Sequence, residues 1–302
     1  MTGTDSQRVS NSLILLYVIC LISNIFGGMT STLMSVYLPS AVKDLLGTED
    51  PNQLNEVSAY VSAVFIFGWT AGGIGWGYLS DSFGRSLSLG ASIICFGLFT
   101  LLTAFTDSWQ LVMICRFLTG FGAGGVLVLT PTMLSERWPA PTRAIVIGIL
   151  SIGFPIGIFS AGAIDLFVKE WHQAFLTGLL PLLLGIVSLV GVKDRPEDKS
   201  TQKGANQERM TTGENLRNMV IGSTTFGTML IGLWAIFSWM PTWLQSIVPA
   251  ENTEARGLSM MILGAGGLLG GFSSGWMSNA MGYRKAMLLC FVFCFSKPIP
   301  IL

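Results

Sequence analysis

Charge is what this sequence has least of. Of 302 residues, 17 are Lys or Arg and 17 are Asp or Glu, or 11%, where a soluble domain carries roughly a quarter. A soluble fold of this length needs more charge to cover its surface, so a soluble enzyme is disfavoured. The two signs cancel, which leaves no basic excess to release counterions from a nucleic acid. Histidine occurs once, at His172. The five cysteines, Cys20, Cys95, Cys115, Cys290 and Cys294, lie inside apolar stretches with no CxxC or Cys/His cluster. Zinc, a disulfide framework and any other cofactor therefore have no support. Cys290 and Cys294 fit two small side chains on one helix face. No P-loop is present, so ATP drive is unsupported as well.

What the sequence has instead is apolar length. Apolar residues make up 51%, and 36 glycines come on top. Residues 9–42, 57–80, 86–106, 117–135, 144–164, 173–192, 218–250 and 257–283 carry no Asp, Glu, Lys or Arg, and 286–296 is a further run ended by Lys297. Each complete run is about as long as a helix needs to cross the hydrocarbon, roughly 20 residues. Membrane β-strands would be about half as long and would alternate in polarity. Backbone facing lipid must bond within its own segment, which leaves helices. The first run is too long for a cleaved signal and has no basic cluster before it. The reading is an all-α polytopic membrane protein of about nine transmembrane helices. They are placed at 12–35, 57–79, 86–106, 109–132, 144–164, 173–192, 219–241 and 257–279, with a partial ninth at 286–302.

Basic residues set the expected orientation. With the N-terminus inside, the inner segments hold Arg8, Arg85, Arg137, Arg143, Lys193, Arg195, Lys199, Lys203, Arg209, Arg217, Arg284 and Lys285. The outer segments hold only Lys43, Lys169, Arg256 and Lys297. This excess places the N-terminus in the cytoplasm of a plasma or inner membrane. Residues 193–217 form one long polar stretch, read as a cytoplasmic linker. It divides the chain into a six-helix bundle, 1–192, and a partial second bundle of three helices, 218–302.

An internal repeat supports that division. A shift of 198 residues overlays Gly68, Gly72, Gly73, Gly77, Ser80 and Gly84 on Gly266, Gly270, Gly271, Gly275, Ser278 and Gly282. Part of this match lies in the loop, where a shared apolar bias does not explain it. Six helices in the first unit put both units the same way up, as in transporter halves around an axis normal to the membrane. A cleft between two such bundles opens to either side as they rock.

On these residues the chain resembles the major facilitator superfamily of secondary transporters. The stretch GYLSDSFGR at 77–85 is similar to that family's signature between helices two and three, with Gly77, Asp81, Gly84 and Arg85 matching. Ser82 stands where the first basic residue would be, and in the second copy Asn279 stands where the acid would be. Gly77 is expected to permit close helix contact, and Gly84 a tight turn. The resemblance implies a conformational gate, a charge network that latches one state, made of Asp81 and Arg85 with Glu136 and Arg143 from the loop after helix four. Helix four itself, RFLTGFGAGG from Arg116, resembles the family's fourth-helix signature through Arg116, Gly120 and Gly124. An Arg flanked by apolar residues normally faces the bundle interior or a water-filled path.

The sixth helix opens as WHQAFLTGLLP, similar to a pattern of the sugar porter and organic-acid symporter branches, with Trp171, Phe175, Gly178 and Pro181 matching and His172 in place of the usual Arg. In helix five, Gly153, Pro155 and Gly157 are expected to bend the helix and admit a neighbour. The resemblance implies secondary or facilitative transport of a small polar metabolite, an organic anion or a sugar, by alternating access. Candidate path residues are Asn24, Thr30, Ser31, Tyr60, Arg116 and Trp239. A buried acid is the easiest proton carrier. None stands in 24–39 or centrally in helices seven and eight, so a coupling proton is left open. The partners implied are the lipid bilayer and the solute. The family's twelve helices exceed the nine read here, so the second bundle is expected to be incomplete. A non-transporting membrane sensor or partner-binding protein on a shortened transporter fold is the alternative.

Overall fold

The computed structural model describes residues 10–194, 213–248 and 254–282, with single positions between 284 and 292. Within them run eight helices long and apolar enough to cross a membrane. They are α1 (Asn11–Leu46), α2 (Pro51–Phe83), α3 (Arg85–Thr103), α4 (Trp109–Arg137), α5 (Ala140–Phe167), α6 (Trp171–Gly191), α7 (Gly213–Ile247) and α8 (Ala255–Met281). The fold is all-α and polytopic. The expected ninth helix, and the linker from 195 to 212, lie largely outside the described residues.

Most of the helices are longer than the uncharged runs. α1 has 36 residues, about 54 Å at the α-helical rise, against a hydrocarbon core of about 30 Å. It continues through Lys43 and Asp44, and α2 begins at Pro51, before Glu56. Charge therefore marks where a span leaves the hydrocarbon and not where its helix stops. Each end has a local cause. The side chain of Ser10 caps α1 by accepting from the Ser12 N–H, and Gly47 ends it at φ 59°. Asp50 caps α2 ahead of Pro51, a residue suited to a first helical position. In α6 a 3-10 turn at Leu176–Gly178 precedes Pro181, which has no N–H to give to the carbonyl four residues back.

The α2–α3 turn is Gly84 alone, at φ 102°, and the corresponding Gly282 has φ 81°. The repeat read from sequence thus recurs as a glycine of positive φ at both positions. Short connections make consecutive helices antiparallel. The N-terminus of α1, the α2–α3 turn, the α4–α5 turn and the end of α6 consequently meet at one end, called here the basic end.

Between helices lipid supplies no hydrophobic drive, so small residues decide how closely they pack. α2 lies on α4 through Gly68, Gly72, Gly120 and Gly124. A Cβ at any of the four would strike main chain of the other helix: the carbonyls of Phe117, Phe121, Phe65 and Trp69 respectively. Gly97 and Gly178 play the same part between α3 and α6, and Gly28 and Gly157 between α1 and α5. Large apolar side chains such as Phe67, Ile74, Tyr78, Ile145 and Val190 point outward instead, as lipid requires.

Two buried clusters fill the interior. Near the basic end Leu16, Leu89, Phe96, Met133 and Trp138 pack together. Toward the opposite end Leu33, Tyr37, Phe65, Phe175, Trp234 and Met260 do so. The close contact expected at Gly77 finds no neighbour among the described residues, where a Cβ would meet nothing within 4 Å.

Replacing Gly72 by Ala is expected to force α2 and α4 apart and to lower stability by about 1–3 kcal/mol, the usual cost of overpacking. Gly77→Ala should leave stability unchanged or slightly raised. Thermal unfolding of the two variants in detergent compares them directly, and equal melting temperatures would contradict the packing.

Candidate functional site

α4 carries Arg116 two turns inside Trp109, about 10 Å along the axis. The residue is 3% exposed. Its two η nitrogens donate to the main-chain carbonyls of Thr30 and Ser31 on α1, at 3.1 and 3.2 Å. Its Cζ lies 4.1 Å from the centroid of the Phe65 ring on α2, a cation–π distance. Gly120, one turn on, is what admits α2 so closely. No carboxylate pairs with Arg116 among the described residues. Among those residues its Nε has no hydrogen-bond partner, and neither do the hydroxyls of Ser31 and Thr119 nearby. A buried guanidinium held by carbonyl dipoles and a ring face, with no carboxylate on it among the described residues, leaves its charge to be answered by an incoming anion. The unpaired hydroxyls would serve as further donors.

Beyond Phe65 stands an aromatic cluster drawn from three helices. Trp69 and Trp234 meet edge to face at 4.5 Å. Phe65 lies 5.7 Å from Trp69 and 6.0 Å from Trp234. Phe154 stacks on Trp69 at 5.9 Å, and Phe237 sits 6.0 Å from Trp234. These are favourable ring geometries, worth roughly 0.5–1.5 kcal/mol a pair beyond area. The cluster joins α2 and α5 of the first six helices to α7, and Phe65 is the wall between it and the guanidinium.

At the basic end the charges form a second constellation. Arg85 pairs with Glu136 at 2.8 Å and stands 4.0 Å from Asp81. Beside it Arg137 pairs with Asp194 at 3.2 Å. Asp194 also accepts from the Ser86 N–H at 2.8 Å, so the end of α6 caps the start of α3. A Cβ at Gly84 would collide with that carboxylate, a second reason for glycine there. Arg143 is turned aside and bonds the Trp138 carbonyl at 3.0 and 3.1 Å.

The residues expected from sequence are therefore only partly brought together. Asp81, Arg85, Gly84 and Glu136 converge, while Gly77 and Arg143 stand off. Arg116, Thr30 and Ser31 converge, but through the main-chain carbonyls of the last two, since the Thr30 hydroxyl bonds the Phe26 carbonyl. Asn24 lies about 9 Å further down α1 and fastens α1 to α4 through Thr130 Oγ1 at 2.8 Å. Tyr60 is exposed and donates to Glu56. Trp239 is 39% exposed and takes no part in the cluster, whereas Trp234 on the same helix is 9% exposed. The cluster aromatics, Arg137, Asp194, and a buried pair of Asp165 and Arg256 were not singled out from sequence. For Asp165 the signal was present: it is an acid just past an uncharged run, three residues after Gly162.

The chain belongs to the Major Facilitator Superfamily, whose family model matches residues 19–296. It is 26% identical over 272 residues to a 4-hydroxybenzoate transporter of Pseudomonas aeruginosa, covering 77% of this chain and 60% of that protein. It is 28% identical over 229 residues to a probable 4-methylmuconolactone transporter of Cupriavidus pinatubonensis, covering 72% and 53%. The chain thus spans between about half and three fifths of the length of these relatives. In fold it is similar to a partially occluded, inward-open structure of the xylose transporter of E. coli, with a TM-score of 0.69, 16% identity, and coverage of 90% of this chain and 72% of that one.

Asp194→Ala removes a helix cap and the partner of a guanidinium that is 5% exposed. The expected loss is about 1–3 kcal/mol, read as a lower melting temperature. Asp107→Ala, at an exposed position in the α3–α4 connection, should not shift it. Equal behaviour of the two would contradict the assigned role of Asp194.

Proposed function

We propose that this member of the Major Facilitator Superfamily moves a small organic anion across the membrane by alternating access, and that its preferred cargo is an aromatic monocarboxylate. The observation that carries the reading is Arg116: a buried cation without a carboxylate partner among the described residues, set behind a wall of rings. In the reading, Phe65 swings from the guanidinium, the substrate carboxylate takes its place, and the substrate ring packs among Trp69, Phe154 and Trp234. Thr30 and Ser31 position the guanidinium through their carbonyls. A neutral sugar would leave the cation unanswered. The resemblance to a 4-hydroxybenzoate transporter supports the same choice, since that compound is a ring bearing a carboxylate.

The basic end faces the cytoplasm in this reading, as the excess of Lys and Arg there favours. Residues 1–192 move as one bundle against the helices that follow 217. Asp81, Arg85 and Glu136 act as the cytoplasmic latch, with Gly84 shaping the turn and Arg143 bracing the α4–α5 corner. No step needs a cofactor.

Ligand binding to the chain in nanodiscs tests the substrate class. With tryptophan fluorescence as readout, 4-hydroxybenzoate is expected to quench saturably, and Trp234→Phe to lose most of the change. Xylose should have no effect. Saturable quenching by xylose with none by 4-hydroxybenzoate would overturn the reading.

A further inference from the structure

α5 and α8 meet backbone to backbone toward the end opposite the basic cluster. A Cβ at Gly162 would strike the Gly257 carbonyl, and one at Gly257 would lie 2.6 Å from the Gly162 carbonyl. Further along, a Cβ at Gly264 would lie 2.6 Å from the Phe159 nitrogen. Side chains flank these points, with Ile158 and Ala161 of α5 and Met260 of α8 in one buried cluster. One polar contact fastens the contact zone. The Asp165 side chain is wholly buried, and the Arg256 side chain is 6% exposed. Their nearest approach, Arg256 Nη2 to Asp165 Oδ1, is 3.6 Å. Asp165 Oδ2 accepts from the Gly257 N–H at 3.1 Å. Oδ1 accepts no hydrogen bond among the described residues, and Arg256 Nε donates none. Arg256 Nη1 reaches Ser40 Oγ on α1 at 3.4 Å.

From this geometry we infer that Asp165 is a proton-binding site, and that proton uptake there releases Arg256 and frees α8 from α5. A buried carboxylate with one bare oxygen, facing a cation beyond good hydrogen-bonding distance, is poorly compensated, and the neutral acid needs no counter-ion. A proton arriving from solvent forms an O–H bond on Asp165, and the attraction to Arg256 is lost. Arg256 is then a buried cation with no acid to face, the more costly half of a broken pair. It is the second residue of α8, two positions after the exposed turn residue Glu254. It reaches water by carrying the first turn of α8 away from α5. Return of the proton to solvent restores the pair and the closed contact.

Other charged and titratable groups stand around the site. Lys169 on the α5–α6 connection donates to the Asp165 main-chain carbonyl at 2.9 Å. Tyr37 on α1 donates to the Val168 carbonyl at 2.5 Å. Asp44, also on α1, accepts from the Trp171 indole at 2.9 Å. Glu170 and His172 flank that tryptophan, and Glu254 precedes α8. α7 brings Trp234 and Phe237, which do not titrate, to the same core. The inference deepens the transport reading by naming its coupling cation, and rests on that reading only for this consequence. Proton uptake and helix separation need no substrate, so they fail or succeed independently of substrate class.

The test uses the chain in nanodiscs, with its five cysteines changed to serine and spin labels at Phe167→Cys and Leu258→Cys, both exposed positions. The interlabel distance is expected to be short at about pH 8 and longer at about pH 5, in a single transition within the range that physiological switches use. Asp165→Asn should show the long distance at both pH values, and Asp165→Glu should keep the transition. In unlabelled wild type, acidification should produce the infrared carbonyl band of a protonated carboxylic acid in a dry setting, and Asp165→Asn should lack it. A wild-type distance that does not change, absence of the band in wild type, or a pH step that survives in Asp165→Asn would each overturn the inference. The first two outcomes are read on the wild-type residue pair and do not depend on whether a variant folds.

Discussion

Close approach of backbones at glycine, in surroundings where lipid gives helices no hydrophobic reason to associate, is the constraint on which the other features depend. Gly68, Gly72, Gly120 and Gly124 put α2 main chain against α4 main chain. That approach is what lays the Phe65 ring on the Arg116 guanidinium. With any larger residue at Gly120, the ring would stand away and the cation would face an empty gap. Packing dispersion, and not burial of apolar area, therefore sets where the one fully enclosed cation of α4 can be tolerated.

The same device is used with two outcomes. Within the first six helices the glycine contacts are backed by side-chain clusters on either side, as between α3 and α6 or α1 and α5. These are contacts built to persist. Between α5 and α8 the backbone contact is fastened by an ion pair whose closest approach is 3.6 Å, and the neighbouring aromatic cluster meets through ring edges. Ile158 and Ala161 of α5 and Met260 of α8 share one buried cluster there, so the ion pair, and not thinner packing, is what sets this contact apart. Helix α5 has its persistent partner, α1, through Gly153 and Gly157, and its separable one, α8, through Gly162. In the proposed cycle one helix thus belongs to both a rigid body and a moving contact.

Much of this was legible in the sequence, for stated reasons. Spans follow from uncharged length, and the α2–α3 turn from the repeat, whose two copies share a positive φ at Gly84 and Gly282. Arg116 was readable as interior because a lone Arg in an apolar helix has few other places to go. Its partners were not. Thr30 and Ser31 suggested hydroxyl contacts, but the Thr30 hydroxyl bonds the Phe26 carbonyl one turn back, and it is the main-chain carbonyls of the two that receive the guanidinium. Trp239 was read in place of Trp234 because α7 is apolar all round, so no polar face sets which side turns inward. Asp165 and Arg256 were missed because helix ends were drawn at the first charge. A charge that closes a buried ion pair sits inside the helix it was taken to end. Gly77 was read as a packing glycine from its place in the repeat, but its face of α2 meets no described neighbour.

The central claim is that Arg116 receives the carboxylate of the substrate. Calorimetric titration of 4-hydroxybenzoate into the chain in nanodiscs, compared with Arg116→Gln and Arg116→Lys at matched thermal stability, tests it most directly. A hydrogen bond to a charged group contributes about 1.5–3 kcal/mol, so Arg116→Gln is expected to weaken binding roughly 10- to 150-fold. Arg116→Lys, which keeps the charge but not the planar fork, should fall between. Undiminished affinity in Arg116→Gln would contradict the claim.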